Sequence, residues 1–202
     1  MIERFKEKIS TYISKVKTYN RIAGITSIIR RYFALNGFDG VITIIGVLIG
    51  NYIIEVRDPV HIIVAGAAVC ISLGVSGVWS AYFSESAERK KELDDLEKST
   101  LHDLSHTVIS SAQKFASVTI AIANGVFPVI TAFIPLFPFF FAGFLPINVC
   151  YYIGFFLAFL ILFEIGLFLG RVSKTSLIIS GIKMVFAGAF CIGLGFLLSL
   201  IS

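Results

Sequence analysis

The distribution of charged residues along the chain restricts its fold more than any other sequence feature. Residues 115–163 contain no Asp, Glu, Lys or Arg, whereas residues 1–31 and 85–114 hold most of the charged side chains. Hydrophobic residues form 56% of the chain and charged residues 15%, against roughly 25% charged residues in a soluble domain. A chain segregated in this way is surrounded by lipid over some stretches and by water over others. The sequence therefore predicts an integral membrane protein.

Five apolar stretches are long enough to cross a membrane as helices. A hydrocarbon layer of about 30 Å takes roughly 20 helical residues, and each stretch reaches that length. The predicted spans are residues 32–54, 60–83, 115–142, 149–170 and 177–201. Pro128, Pro135 and Pro138 fall inside the third span and predict a kink or a break in it. The predicted fold class is all-α, a polytopic membrane protein with five transmembrane helices.

Two helical segments are predicted outside the spans. Residues 2–16 place Ile, Phe and Val at helical spacing between lysines, which is the pattern of an amphipathic helix on an anionic membrane surface. The second span is expected to continue as a charged cytoplasmic helix. The predicted divisions are the amphipathic N-terminal helix (1–31), spans 1–2 (32–83), the charged connection (84–114) and spans 3–5 (115–202).

The Lys and Arg residues predict the orientation of the chain. Residues 1–31 hold eight of them, residues 84–114 five and residues 171–183 three, whereas Arg57 alone lies on the opposite side. Because basic residues collect on the cytoplasmic side, this distribution places the N-terminus and the charged connection in the cytoplasm. Five spans then leave the C-terminus outside.

Asp39 is an acidic residue within the first predicted span. A charged side chain at the centre of a bilayer costs at least about 2.5–3.5 kcal/mol on insertion scales, so such a residue is a functional candidate. Asp39 lies in the segment NGFDG between Gly37 and Gly40, which permit another backbone to approach closely. This setting favours a narrow polar passage. The structural alternative is a helix cap or a link to Arg30 or Arg31.

Glu164 is the second acidic residue within a span. It lies in the segment LFEIG of the fourth span, near the cytoplasmic end. A proton-linked role in transport and a simple ion pair with Lys183 or Arg171 are equally favoured by the sequence.

The charged connection holds a further set of candidate metal ligands. Glu85, Glu88, Glu92 and Asp95 recur at a spacing that places them on one face of a helix, and His102 and His106 follow. Carboxylates mixed with imidazoles suit Mn²⁺, Fe²⁺ or Zn²⁺. The same segment also has the composition of an ordinary solvated helix with ion pairs four residues apart, so both interpretations remain open.

Four stretches of the chain resemble the vacuolar iron transporter family, in particular its short prokaryotic members. NGFDGVITIIGVLIG is similar to the family's first-span Asn-Asp-Gly segment, and GVSGVWSAYFSESAERK to the second-span segment that runs into a charged helix. AFIPLFPFFF resembles the third-span Pro-Leu-x-Pro motif, and GRVSKTSLIISGIKMVFAGAF resembles the connection between the fourth and fifth spans. The chain departs from the pattern at Gly77, where the family has Met, and at Ala81, where it has Glu.

The resemblance implies a five-span homodimer in a prokaryotic cell membrane that exports Fe²⁺ or Mn²⁺ from the cytoplasm in exchange for protons. It also implies a first-span acid on the pathway and cytoplasmic carboxylates that gather the metal. The expected pathway residues are Asn36, Asp39, Ser76, Ser80, Tyr82 and Glu164. The expected metal ligands are Asp39, Glu85, Glu88, Glu92, Asp95, His102 and His106. No prosthetic group and no nucleic-acid partner are expected.

Two other classes of function are alternatives. A non-transporting membrane scaffold or metal sensor would use the helix over residues 85–106 to bind a partner or a metal. An intramembrane enzyme is the least favoured class, because the spans contain no Ser/His, His–Glu or Asp–Asp pair at a catalytic spacing. We therefore expect no enzymatic activity.

Overall fold

The structure, a computed structural model, describes residues 14–200 apart from the side chains of Leu198 and Ser199. The predicted amphipathic helix over residues 2–16 lies almost wholly outside the described residues. All regular structure within them is helical, which confirms the all-α class. After helical residues 14–23 (α1), the elements are α2 (Ile25–Ile53), α3 (Pro59–Thr100), α4 (Val108–Phe133) with a 3₁₀ segment (Ile134–Phe141), α5 (Ile147–Ser173) and α6 (Leu177–Ser199).

Within the described residues, five helices are long and apolar enough to cross a membrane, in agreement with the five predicted spans. α2 and α4 each begin before the apolar stretch that they contain, at Ile25 and Val108. The predicted boundaries marked the edge of the hydrocarbon layer, but a helix can continue through polar residues beyond that edge. Its end depends on how its terminal backbone groups are capped.

The start of α2 is set by a turn at Gly24. Gly24 has a φ of +62°, a left-handed conformation that glycine adopts without steric cost. The Asn20 side-chain oxygen accepts hydrogen bonds from the Thr26 backbone N–H and the Thr26 hydroxyl, each at 2.8 Å. These bonds satisfy one of the backbone donors that the first turn of a helix leaves free.

α3 continues as one α-helix of 42 residues from Pro59 to Thr100, so the predicted extension into the charged segment is helical. Beyond it, the Leu104 N–H donates to a Glu97 carboxylate oxygen at 2.8 Å, and the Ser105 N–H donates to Asp103 at 2.8 Å. Hydrogen bonds from the side chain and backbone of Ser105 hold the pKa of the Asp103 carboxyl below its usual range. The charged connection is therefore a long helix followed by an ordered turn.

The prolines of the third span interrupt its α-helical geometry, as predicted. Pro128 lies inside α4, whereas Pro135 and Pro138 lie in the 3₁₀ segment that replaces the α-helix after Phe133. Proline has no N–H to donate and its ring clashes with the preceding turn, so repeated prolines disfavour a continuous α-helix. The Thr131 hydroxyl donates to the carbonyl oxygens of Phe127 and Pro128, at 3.1 and 3.2 Å.

The chain forms two compact units. The first, called here the charged unit, comprises residues up to 31 together with 77–124; the second, the apolar unit, comprises 32–76 and 125 onwards. In the described part of the apolar unit, buried residues form two hydrophobic clusters, one around Leu48, Phe139 and Tyr151 and one around Val41 and Leu162. Within the described residues of the charged unit, the buried residues include Arg89, Ser110, Gln113, Ser117 and Asn124. The buried polar groups are thus concentrated in the charged unit.

Candidate functional site

Asp39 lies on the exposed side of α2. Val41, Ile44 and Ile45 on the same helix are fully buried, whereas the Asp39 side chain is exposed. Its carboxylate has no hydrogen-bond or ion-pair partner among residues 14–200, while its backbone carbonyl accepts a hydrogen bond from the Thr43 hydroxyl at 2.6 Å. An acid within a candidate membrane span therefore faces away from the packed interior of its own chain.

Asp39 belongs to a row of small and polar residues along α2, called here the α2 stripe. Its members recur at alternating steps of three and four residues, and they are Asn36, Asp39, Thr43, Gly46 and Gly50. Asp39, Gly46 and Gly50 are exposed, and the other two are half-buried. A Cβ added at Gly46 or Gly50 would meet no atom within 4 Å in the described structure. The α2 stripe is thus open on its outer side.

The two glycines beside Asp39 lie on the opposite, packed side of α2. A Cβ added at Gly40 would come within 2.5 Å of the Thr131 hydroxyl oxygen and 2.8 Å of the Pro128 Cα, and one at Gly37 would lie 3.3 Å from Ile165. The expectation that these glycines permit close approach of another backbone is confirmed for Gly40, which meets the backbone of Pro128, whereas Gly37 meets the side chains of Ile165 and Thr131. Both glycines lie in contacts of α2 with neighbouring helices, and they do not themselves line an open passage.

Glu164 is also exposed on its helix, α5. Its neighbours Ile165 and Gly166 are buried, and Gly166 packs against the backbone of Gly181 in α6. Among the described residues, Glu164 forms no ion pair with Lys183 or Arg171. The ion-pair interpretation of Glu164 is therefore not realised in this structure.

The predicted polar residues of α3 lie on its surface. Ser76, Ser80 and Tyr82 are all exposed. The Ser80 hydroxyl donates to the Gly77 carbonyl oxygen of the preceding turn at 3.4 Å, so it bonds to the backbone of its own helix.

The acidic residues of the charged connection are largely occupied by neighbours in the chain. A Glu85 oxygen lies 3.4 Å from the Arg89 Nε, and an Asp95 oxygen lies 3.7 Å from the Lys98 Nζ. Glu92 accepts a hydrogen bond from the Gln113 side-chain amide at 3.2 Å. Glu88 is exposed.

The structure brings no multidentate metal site together within one copy of the chain. The His102 ring Nδ1 lies 2.7 Å from the Thr100 carbonyl oxygen, a contact within its own turn. In the part of the chain that the structure describes, no three His, Cys, Asp or Glu side chains are close enough to hold one metal ion. A site that uses Asp39 or the α3 acids would therefore need ligands from outside the described residues of one copy, such as water or a second copy.

Comparison with known proteins identifies one relative. No protein-family model matches the chain. Over 167 residues, the chain is 32% identical to uncharacterized protein MJ0645 of Methanocaldococcus jannaschii, and the match covers 81% of this chain and 84% of the archaeal protein. The chain belongs to the MJ0645 family.

In this member of the MJ0645 family, a cluster of polar side chains surrounds the buried Arg89. This cluster was not predicted from the sequence. The Arg89 side chain is only 6% exposed. Its guanidinium donates to the Gln113 side-chain oxygen and to the Ala23 carbonyl oxygen, the latter at 3.2 Å, and it pairs with Glu85. Arg89 therefore links helical residues of α1, α3 and α4 within the charged unit.

The burial of Arg89 follows from the rotation of α3 and has no clear signal in the sequence. Ala81 is buried and Glu85 is half-buried, so the side of α3 that faces inward recurs every four residues and next reaches Arg89. In the sequence alone, Arg89 stands within SAERKKELDD, where neighbouring charges give it the character of a solvated residue.

Proposed function

We propose that the protein transports a divalent transition-metal ion, Fe²⁺ or Mn²⁺ and with weaker support Zn²⁺, out of the cytoplasm in exchange for protons. The observation that supports this most directly is the exposed Asp39 carboxylate within a candidate span. Hydrocarbon cannot solvate a carboxylate, so an acid in this position is expected to contact water, an ion or another polar group. Transport of a cation is a function that makes use of such a group.

A homodimer formed along the α2 stripe gives Asp39 a polar environment. Small residues permit close packing of membrane helices, and Gly46 and Gly50 are open to a second copy. Two such helices related by a two-fold axis would bring their Asp39 carboxylates near each other. A divalent cation neutralises such a pair, and protons replace it when the metal leaves, because two close carboxylates resist joint ionisation. This property couples metal release to proton uptake.

The other proposed residues have supporting roles. The cytoplasmic N-terminus follows from the basic residues, and the exposed Glu88, together with Glu92 and Asp95, attracts cations to the cytoplasmic side. Glu164 provides a second proton-binding carboxylate within the spans. The resemblance to vacuolar iron transporters supports the same ions and the same direction, and it favours a prokaryotic cell membrane as the location.

The test is metal flux into liposomes that contain a metal-sensitive dye and a pH reporter. We expect the wild-type protein to move Fe²⁺ or Mn²⁺ with an opposite movement of protons. Asp39→Asn keeps the size of the side chain but removes its charge, and flux is expected to fall to that of protein-free liposomes. Asp94→Asn is the matched control, because Asp94 is an exposed acid of α3 outside the proposed pathway. Undiminished flux in Asp39→Asn would refute the role of Asp39.

A membrane scaffold or metal sensor is the second candidate function. One observation favours it. The carboxylates of Glu85, Glu92 and Asp95 contact the side chains of Arg89, Gln113 and Lys98, respectively, as expected for a helix with a structural role. Two results together would establish this alternative. The wild-type protein, correctly oriented in liposomes, would transport none of Fe²⁺, Mn²⁺ and Zn²⁺, and it would bind a metal or a partner through residues 85–106.

A further inference from the structure

A cavity of about 410 Å³ lies in the charged unit between residues 82–93 of α3 and residues 110–118 of α4. Three basic residues, Arg89, Lys90 and Lys114, contribute to its lining, and no Asp or Glu among the described residues does so. The remaining polar lining includes the hydroxyl-bearing Ser86 and Ser110. Cations and hydroxyl donors without a lining carboxylate form an environment that favours an anion.

Arg89 supplies hydrogen-bond donors that the protein does not use. The guanidinium carries five N–H groups, and its described acceptors are the Gln113 side chain and the Ala23 carbonyl. Its Nε is buried without a hydrogen bond, although a Glu85 oxygen lies 3.4 Å away. Nη1 and Nη2 each donate one described hydrogen bond and carry two N–H groups, so Arg89, which lines the cavity, keeps donors for an oxygen-rich group there.

The two lysines add charge that the described residues leave uncompensated. Lys90 and Lys114 are exposed at the cavity, and neither has an ion-pair partner within residues 14–200. Lysine is a flexible point charge on a long apolar stem and binds phosphate as such. The cavity therefore combines one fixed guanidinium with two adaptable ammonium groups.

The cavity lies where α3 changes from an apolar to a charged sequence. Trp79, Tyr82 and Phe83 are exposed in the turns just before it, and exposed aromatic residues are typical of the boundary between hydrocarbon and headgroups. Its walls also include the aromatic ring of Tyr82 and the apolar side chains of Leu93 and Val118. A ligand that joins an anionic group to an apolar chain matches both parts of this cavity.

We propose that this cavity binds the phosphate of an anionic phospholipid, with Arg89, Lys90 and Lys114 around the phosphate and with Tyr82 and Val118 against the first carbons of the lipid. The site is separate from the α2 stripe and does not depend on metal transport. Bound lipid would bridge α3 and α4 within the charged unit and hold the base of the charged connection at the membrane surface.

The experiment uses Trp79, the single tryptophan of the chain, as a reporter. The full-length protein is reconstituted in phosphatidylcholine bilayers that contain either brominated phosphatidylglycerol or brominated phosphatidylcholine, whose bromine atoms quench nearby tryptophan fluorescence. We expect phosphatidylglycerol to quench at a lower mole fraction than phosphatidylcholine. Lys90→Gln/Lys114→Gln should reduce this preference by roughly tenfold for each lysine, the low end of the effect of a hydrogen bond to a charged group.

The matched control is Lys91→Gln/Lys98→Gln, which removes two exposed lysines of α3 that do not line the cavity. It should keep the preference for phosphatidylglycerol. Equal losses in the two double variants, or no preference in the wild-type protein, would overturn the proposal. A preference that excess inorganic phosphate abolishes would also overturn it, because the cavity would then be a site for a free anion. Tryptophan emission of each unquenched variant checks that the charged unit is folded.

Discussion

At the scale of single residues, Asp39 and Arg89 occupy the opposite environments from those their sequence neighbours suggest. Asp39, flanked by apolar residues, is exposed, whereas Arg89, flanked by charged residues, is buried. Burial of an Arg requires that its donors and its charge be met by the protein. Gln113, Glu85 and the Ala23 carbonyl meet them in part.

Replacement of Arg89 is expected to destabilise the charged unit strongly. Arg89→Ala removes the ion pair to the half-buried Glu85 and the hydrogen bond to the buried Gln113, and removal of one member of a buried charged pair costs about 3–5 kcal/mol. Thermal unfolding in detergent should show a clearly lower midpoint. Lys90→Ala, an exposed substitution on the next residue, serves as the control and should leave the midpoint nearly unchanged. Equal midpoints for the two variants would show that Arg89 is not a structural link.

At the scale of helices, α2 has two kinds of glycine. Gly40 allows the backbone of α4 to approach, whereas a Cβ at Gly46 would have open space around it in the described structure. The sequence pattern showed glycines at intervals along the first span, but it did not distinguish those in helix contacts from those on the surface. The distinction depends on the rotation of α2 about its axis, which the packing of its apolar side against α4 and α5 determines.

Alanine substitutions at these two glycines should therefore have opposite effects. Gly40→Ala places a Cβ 2.8 Å from the Pro128 Cα, so α2 must move away from α4, and such overpacking costs about 1–3 kcal/mol. Gly46→Ala meets no atom within 4 Å and gains up to about 1 kcal/mol of helix propensity. Thermal unfolding of the two variants tests this difference in detergent at a dilution where the protein is monomeric, because in the proposed dimer a side chain at position 46 would also meet the second copy. A destabilising Gly46→Ala with a neutral Gly40→Ala would contradict the observed rotation of α2.

At the scale of the whole molecule, the proposed dimer accounts for a feature that a single chain leaves unexplained. The α2 stripe combines an acid with two open glycines, a composition that suits a helix interface better than contact with lipid tails. Membrane helices pack closely where small residues remove steric barriers, so the stripe is the best candidate for contact with a second copy.

A bulky side chain on the α2 stripe should separate the proposed dimer without unfolding the chain. Gly46→Leu has open space in the described structure but would obstruct a second α2 helix. Light scattering in detergent should show a shift from dimer to monomer, and metal flux should fall with it. Gly193→Leu is the control, because Gly193 of α6 is equally open but lies outside the stripe. A Gly46→Leu protein that remains dimeric would exclude the stripe as the interface.

The sequence by itself determined the membrane class, the number of spans and the helical continuation of α3, because these depend on the length and polarity of segments along one dimension. The break in the third span follows for the same reason, since proline acts on its own backbone. Only the tertiary structure decided that Asp39 is exposed, that Gly40 lies in a helix contact and that Arg89 is buried. Which side of a helix is packed depends on contacts with residues distant in sequence, and segment composition does not specify those contacts.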